Sequence, residues 1–262
     1  MMIYEICAQT DMGLERDNNE DAVALNVQTQ LCILADGMGG YNAGEVASTM
    51  AAAFIKSEMG RWLSQVSAQA NKKEVRRALE ICIENANQAI FHAARSNPEY
   101  AGMGTTLVVA VFQNDCLILG HIGDSRCYRL RGSQFQQLTK DHSLLQEQLD
   151  AGLVTPKQAL TASNKNLVTR ALGVENAVSV EINEHCVEMD DLYMMCSDGL
   201  SDMVSAAAIA RILKGASTLE QKAHQLIVIA NDAGGYDNIS VLLVQTKQAP
   251  TKRSFFSNML RK

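Results

Sequence analysis

The chain has 262 residues, 47% hydrophobic and 20% charged, with a formal net charge of −6. That balance is ample for a packed core and leaves out the basic footprint of a nucleic-acid binder. No apolar run approaches the roughly 18 residues of a membrane span, and Met1–Glu5 opens no signal-peptide pattern. Seven cysteines, odd in number and with no Cys-x-x-Cys pair, read as small hydrophobes of a reducing, cytoplasmic compartment.

Residues 2–9, 22–29 and 31–35 carry strand patterns, the last apolar on both faces. A helix is expected over 43–59, with Val46, Met50 and Phe54 on one face and Gly60 as its stop. A second is expected over 72–95, opened by an Asn71/Glu74 capping box and ended by Asn97-Pro98. Strand patterns then follow at 105–112, 116–122, 126–130 and 135–138, with turn residues at Asn114-Asp115 and Arg131-Gly132-Ser133. Residues 140–172 are polar, with short helical periods near 143–150 and 156–160, and read as an excursion from the sheet. Strands resume at 178–188 and 192–197, helices follow at 204–213 and 218–231 (the latter from a Ser217/Glu220 box), and a strand covers 239–246. Long helices between groups of hairpin strands point to an α+β fold of antiparallel sheets covered by helices, not to a doubly wound parallel sheet.

Two of the apolar runs end in Asp-Gly, at Asp36-Gly37 and Asp198-Gly199, which places a carboxylate at a strand tip each time. Further acidic groups stand at Glu20-Asp21, Asp124 and Asp237, each beside a strand. Carboxylates converging on one point repel unless a cation lies among them, and hard oxygens without His or Cys suit magnesium or manganese. Two familiar patterns fail on inspection. Asp17-x-Asn19-x-Asp21 begins like a calcium loop, but Ala22 and Gln28 replace its Gly and Glu. Gly39-x-x-x-x-Gly44 has nucleotide-loop spacing, but Glu45 follows in place of Lys.

The ordered strings Arg16-Asp17-Asn18-Asn19-Glu20-Asp21, Ala35-Asp36-Gly37-Met38-Gly39-Gly40, Gly104-Thr105-Thr106, Gly123-Asp124-Ser125-Arg126, Ser197-Asp198-Gly199-Leu200 and Asp237-Asn238-Ile239-Ser240 carry a resemblance over residues 1–247. The chain resembles the metal-dependent protein serine/threonine phosphatases known as PP2C or PPM, of bacterial type. The resemblance implies a four-layer αββα sandwich over 1–247 with a flap at about 140–172. It also implies hydrolysis of phosphoserine and phosphothreonine in proteins by a water activated between two Mg or Mn ions. Carried over by position, Asp36 bridges the two core ions, with Asp21 and the Gly37 carbonyl on one side and Asp198 and Asp237 on the other. Asp124 matches a third, weaker ion site. Glu20 and Asn238 stand behind the ligands, and Arg16 takes the substrate phosphate. Met38, Gly39, His142 and Arg170 are the remaining substrate-side candidates.

The chain departs from animal members at Met38, where they carry a histidine read as general acid. Met38 donates no proton, which leaves that task to water at the Asp124 site, to His142, or to solvent. His142 itself reads as a solvated surface residue in preference to a donor, and His121 as structural. The implied partners are phosphorylated proteins and a Ser/Thr kinase whose signalling the chain opposes, acting as a stand-alone monomer. Two other readings stay open: a non-catalytic regulatory relative that binds phosphoproteins, and a small-molecule phosphatase. The first would have lost a ligand, whereas Arg16, Asp21, Asp36, Asp198 and Asp237 are all present. The basic, aromatic stretch over 248–262 reads as a frayed tail.

Overall fold

The computed structural model describes residues 2–40, 43–66, 70–113, 115–159 and 167–249. The expected turn at Asn114, residues 160–166 of the flap and the tail from residue 250 lie outside the described residues.

The chain opens with β1 (Met2–Asp11), β2 (Asp21–Asn26) and β3 (Leu31–Met38), then α1 (Ala43–Val66) and α2 (Lys72–Ser96). After a single 3-10 turn come β4 (Gly104–Thr105), β5 (Leu107–Gln113), β6 (Cys116–Ile122), β7 (Arg126–Arg131) and β8 (Gln134–Gln137). The flap carries α3 (Leu144–Asp150) and α4 (Pro156–Ala159). The remainder is β9 (Glu181–Cys186), β10 (Leu192–Cys196), α5 (Asp198–Ser201), α6 (Ala206–Lys214), α7 (Leu219–Asp232) and β11 (Ile239–Gln248).

One sheet has the order β1-β11-β10-β7-β8 and the other β2-β3-β5-β6-β9, with β4 paired to β3. Strand pairing is antiparallel throughout. Period-two alternation sorts the side chains into layers. On β3, Leu31, Ile33 and Ala35 face α1 and α2 and join Ala47, Ile55, Leu79 and Ile90 in one core. Cys32 and Leu34 of the same strand point the other way and meet Val108, Leu119, Tyr193, Met195 and Leu242 between the sheets. A third core joins Leu226 and Ile209 of the C-terminal helices to Met194 and Leu243. The molecule is therefore the four-layer αββα sandwich. Strands buried on both faces explain why β3, β5 and β10 read as unbroken apolar runs.

Helix α1 runs straight through Gly60, which was expected to stop it, and continues to Val66. A Cβ at Gly60 would lie 3.3 Å from Asn26 Nδ2, so this glycine serves a close helix–strand approach. The Asn71/Glu74 capping box forms as expected. The box at α7 falls one residue later than expected, on Thr218 and Gln221. Strand β9 begins at Glu181, three residues later than its apolar pattern suggested, and the one-turn helix α5 was not anticipated.

The flap rejoins the sheet at Leu172, which exchanges backbone hydrogen bonds with Thr105. Asn87 on α2 secures this junction from beneath: its Oδ1 accepts from the Gly173 N–H at 2.8 Å, and its Nδ2 donates to the Glu175 and Asn176 carbonyls. Its side chain is 1% exposed. Asn87→Ala would leave a buried N–H unpaired, a cost of about 2 kcal/mol and a drop in Tm of roughly 4–8 °C, readable by thermal denaturation.

Candidate metal centre

Both sheets deliver carboxylates to one end of the sandwich. Asp21 and Asp36 stand directly opposite each other on β2 and β3. Asp198 follows β10 and Asp237 precedes β11, its neighbour in the other sheet. Ser197 Oγ donates to Asp21 Oδ2 at 2.7 Å and receives the Ser240 N–H at 2.9 Å, which joins the two sheets at this end. Asp124 lies where the chain crosses between sheets, from β6 to β7.

The backbone of Asp36 is pinned by the Gly104-Thr105-Thr106 string. Thr105 Oγ1 and the Thr106 N–H both donate to the Asp36 carbonyl, at 2.9 and 2.8 Å. The Asp36 N–H donates in turn to Thr106 Oγ1, which also contacts Ser125 Oγ at 2.7 Å. Asn238 holds the connection between β1 and β2. Its Oδ1 accepts from the Glu20 N–H, and its Nδ2 donates to the Met12 and Asn18 carbonyls.

Electrostatics show how tightly the acids converge. Burial pushes Asp21 up to about 7, with the Asp237 charge adding to it. Burial, then the charges of Asp21, Asp198, Asp124 and Asp237, hold Asp36 well above the usual carboxylate range. Asp198 is raised to about 8 by burial and then by Asp124 and Asp237, and Asp124 to about 6 by burial and then by Asp141. Asp21 Oδ1 is buried with no hydrogen-bond partner. An orphaned carboxylate oxygen inside a ring of like charges fits a site built for hard divalent cations.

Arg16 Nη2 donates to Asp237 Oδ2 at 2.8 Å, with the arginine side chain 49% exposed. The guanidinium therefore stands at the rim of the cluster, facing both acid and solvent. Glu20 lies beneath, its carboxylate bonded by the Gly44 N–H in the first turn of α1. A Cβ at Gly44 would stand 2.8 Å from the Glu20 carboxylate and 2.9 Å from the Gly37 carbonyl carbon. Gly44, Ser197 and Thr106 received no role from the sequence. For Gly44 the signal was present, as a glycine just inside a helix start after a glycine-rich turn.

The flap begins against Asp124. His142 is 7% exposed, not the solvated surface residue expected. Its N–H donates to the Gly123 carbonyl at 2.9 Å and its Nδ1 accepts from the Gly123 N–H at 3.2 Å. Its ring stacks on His121, whose Nε2 pairs with the Lys140 carbonyl at 2.8 Å, so His121 does have a partner. Burial, then His121 and Arg170, depress His142 to about 4, which keeps it neutral at physiological pH. His121, His142 and Glu181 offer donor atoms within 4.8 Å of one another. Hydrogen bonding nonetheless assigns the ring proton of His142 to Nε2, the nitrogen facing Glu181, which disfavours a cation there. Arg126 and Asp141 add a second tie, with guanidinium–carboxylate contacts of 2.6–3.0 Å. A cavity of about 110 Å³ separates Asp124, Asp198 and Asp202 from Ser143, Gln146 and Leu149 of the flap. Arg170 and Gly39 are exposed, and Met38 Cγ lies about 3.6 Å from the Cβ position of Gly104.

Comparison with known proteins gives the family. Residues 15–228 match the family model described as Protein phosphatase 2C. The chain belongs to the protein phosphatase 2C family. The serine/threonine phosphatase stp of Listeria innocua is 40% identical over 240 residues, covering 90% of this chain and 94% of that protein. The crystal structure of the Mycobacterium tuberculosis serine/threonine phosphatase PstP/Ppp superposes with a TM-score of 0.86 at 35% identity, covering 94% of this chain and all of that one. The catalytic domain of PstP in complex with two manganese ions gives a TM-score of 0.80 at 35% identity, over 95% of this chain and 100% of that one. As a protein phosphatase 2C, the chain is a metal-dependent hydrolase of phosphoproteins, and no helix among the described residues is long and apolar enough to cross a membrane.

Proposed function

We propose that this phosphatase removes phosphate from serine and threonine residues of proteins, using two divalent cations held by Asp21, Asp36, the Gly37 carbonyl, Asp198 and Asp237. The orphaned, buried Asp21 Oδ1 within the acidic cluster carries that reading. Bound there, magnesium or manganese supplies a water acidified to a nucleophile at neutral pH and offsets charge on the phosphoryl oxygens. The protein's own groups do the rest. Asp36 is held in place by Thr105 and Thr106, so its carboxylate reaches the centre without reorganisation. Arg16, at the rim, presents a planar fork suited to a phosphate. To take one it must share or release Asp237. Glu20 would accept hydrogen bonds from water at the centre, and Asn238 fixes the backbone on which Glu20 rides.

Met38 stands where animal members carry a histidine, and it donates no proton. His142 is neutral and bonded to Gly123, so we assign it to positioning the Asp124 loop. Asp124 and Asp198, which line the cavity under α3, would hold a third cation there, and water on it or bulk solvent would supply the proton for the leaving oxygen. The small-molecule alternative has less support, because the rim is open to solvent at Arg16 and Gly39 rather than closed around a ligand. All seven cysteines are free thiols, which favours a cytosolic setting in which a Ser/Thr kinase supplies the phosphorylated substrates. Hydrolysis of a phosphothreonine peptide, with manganese and again after chelation, tests the reading against a panel of sugar phosphates. Manganese-dependent release from the peptide is expected. Preference for the sugars, or release that ignores chelation, would overturn it.

A further inference from the structure

Among the described residues, only Leu153 is a more exposed large hydrophobic than Leu14 and Tyr236, which are 65% and 63% exposed. Both stand at the rim of the acidic cluster. Leu14 is two residues before Arg16, and Tyr236 immediately precedes Asp237, the partner of Arg16 at 2.8 Å.

They share one seat. A Cβ at Gly235 would lie 2.8 Å from Leu14 Cγ, and a Cβ at Gly234 would lie 2.5 Å from the Tyr236 ring. Both glycines have positive φ, +130° at Gly234 and +55° at Gly235. The diglycine thus lets Leu14 rest on Gly235 and the Tyr236 ring fold back over Gly234. The seat is also rigid. The Leu14 and Glu15 N–H groups donate to the Gly235 carbonyl at 2.8 and 3.3 Å, Asn238 Nδ2 to the Met12 carbonyl, and Asn231 Nδ2 to Asp11. These side chains are therefore held open to water by a fixed backbone.

We propose that Leu14 and Tyr236 form an apolar subsite for the residue next to the phosphorylated one in a polypeptide substrate. The proposal rests on the phosphatase reading above. A polypeptide whose phosphate reaches Arg16 must lay its neighbouring side chain close to this pair, and an apolar one removes surface from water on both sides. Exposed Glu15 and Asp17 beside the pair act against acidic neighbours.

The test uses two phosphothreonine peptides with manganese, one with leucine on either side of the phosphoresidue and one with glycine. The wild-type protein is expected to favour the leucine-flanked peptide about tenfold in kcat/KM. Leu14→Ser and Tyr236→Ser should bring that ratio toward about one while leaving glycine-flanked turnover within about twofold. Leu14→Met and Tyr236→Phe should keep the preference. A wild-type ratio near one, or a preference that survives both serine variants, would overturn the subsite. Failure to hydrolyse either peptide would instead overturn the phosphatase reading itself.

Discussion

Asp36→Asn should lower phosphopeptide turnover at least about a hundredfold while leaving the fold intact. Asparagine keeps the size of the side chain, and the backbone bonds to Thr105 and Thr106 do not depend on the carboxylate. What it removes is the charge facing Asp21, Asp198, Asp124 and Asp237. That charge is unfavourable unless cations offset it, so two effects of opposite sign are expected. Activity disappears, and the metal-free variant melts at the same temperature as the parent or higher. Calorimetry with manganese should also show core binding lost or greatly weakened. Near-normal turnover in the variant would remove Asp36 from the centre.

Cation removal should have an effect just as large, and it should depend on pH. Asp21, Asp124 and Asp198 are raised to about 7, 6 and 8, above the ordinary carboxylate value. Below about pH 4 these groups are protonated whether the chain is folded or not, and they leave stability unchanged. Between about pH 4 and 8 the unfolded chain ionises its carboxyls freely, whereas the folded chain ionises them against burial and mutual repulsion, so the metal-free fold loses stability as pH rises. Divalent cations bind the ionised form and reverse the loss. At a hundredfold excess over Kd the gain is about 2.7 kcal/mol, or roughly 5–10 °C in Tm for a chain of this size. The manganese-induced shift should accordingly be larger near pH 8 than near pH 5.5. Equal shifts at both values, read by scanning fluorimetry, would argue against a carboxylate site.

Much of this arrangement was legible in the amino-acid order. Strands buried on both faces announce themselves as unbroken apolar runs, and the Asp-Gly pairs point to the candidate centre without coordinates, although Asp36-Gly37 lies within β3, which runs on to Met38, and Asp198-Gly199 opens α5 after β10. What escaped notice depends on contacts between segments far apart in sequence. Gly60 looked like a helix stop because its packing against Asn26 has no local signature. His142 looked solvated because the stretch around it is polar, yet Gly123 and His121 enclose it. Ser197 is an ordinary residue until the second sheet brings Asp21 within 2.7 Å. The diglycine at 234–235 could have been any turn, and only the side chains resting on it give it meaning.

The strand order of the first sheet, with β11 seated between β1 and β10, bears on when the molecule becomes competent. The opening and tenth strands have nothing between them until the final one has been made and inserted. That same late segment brings Asp237 and the Asn238 clamp. A partly synthesised copy therefore lacks both a finished sheet and Asp237, and on the function proposed above it should not strip phosphate from its neighbours. Timing of this kind comes from topology alone.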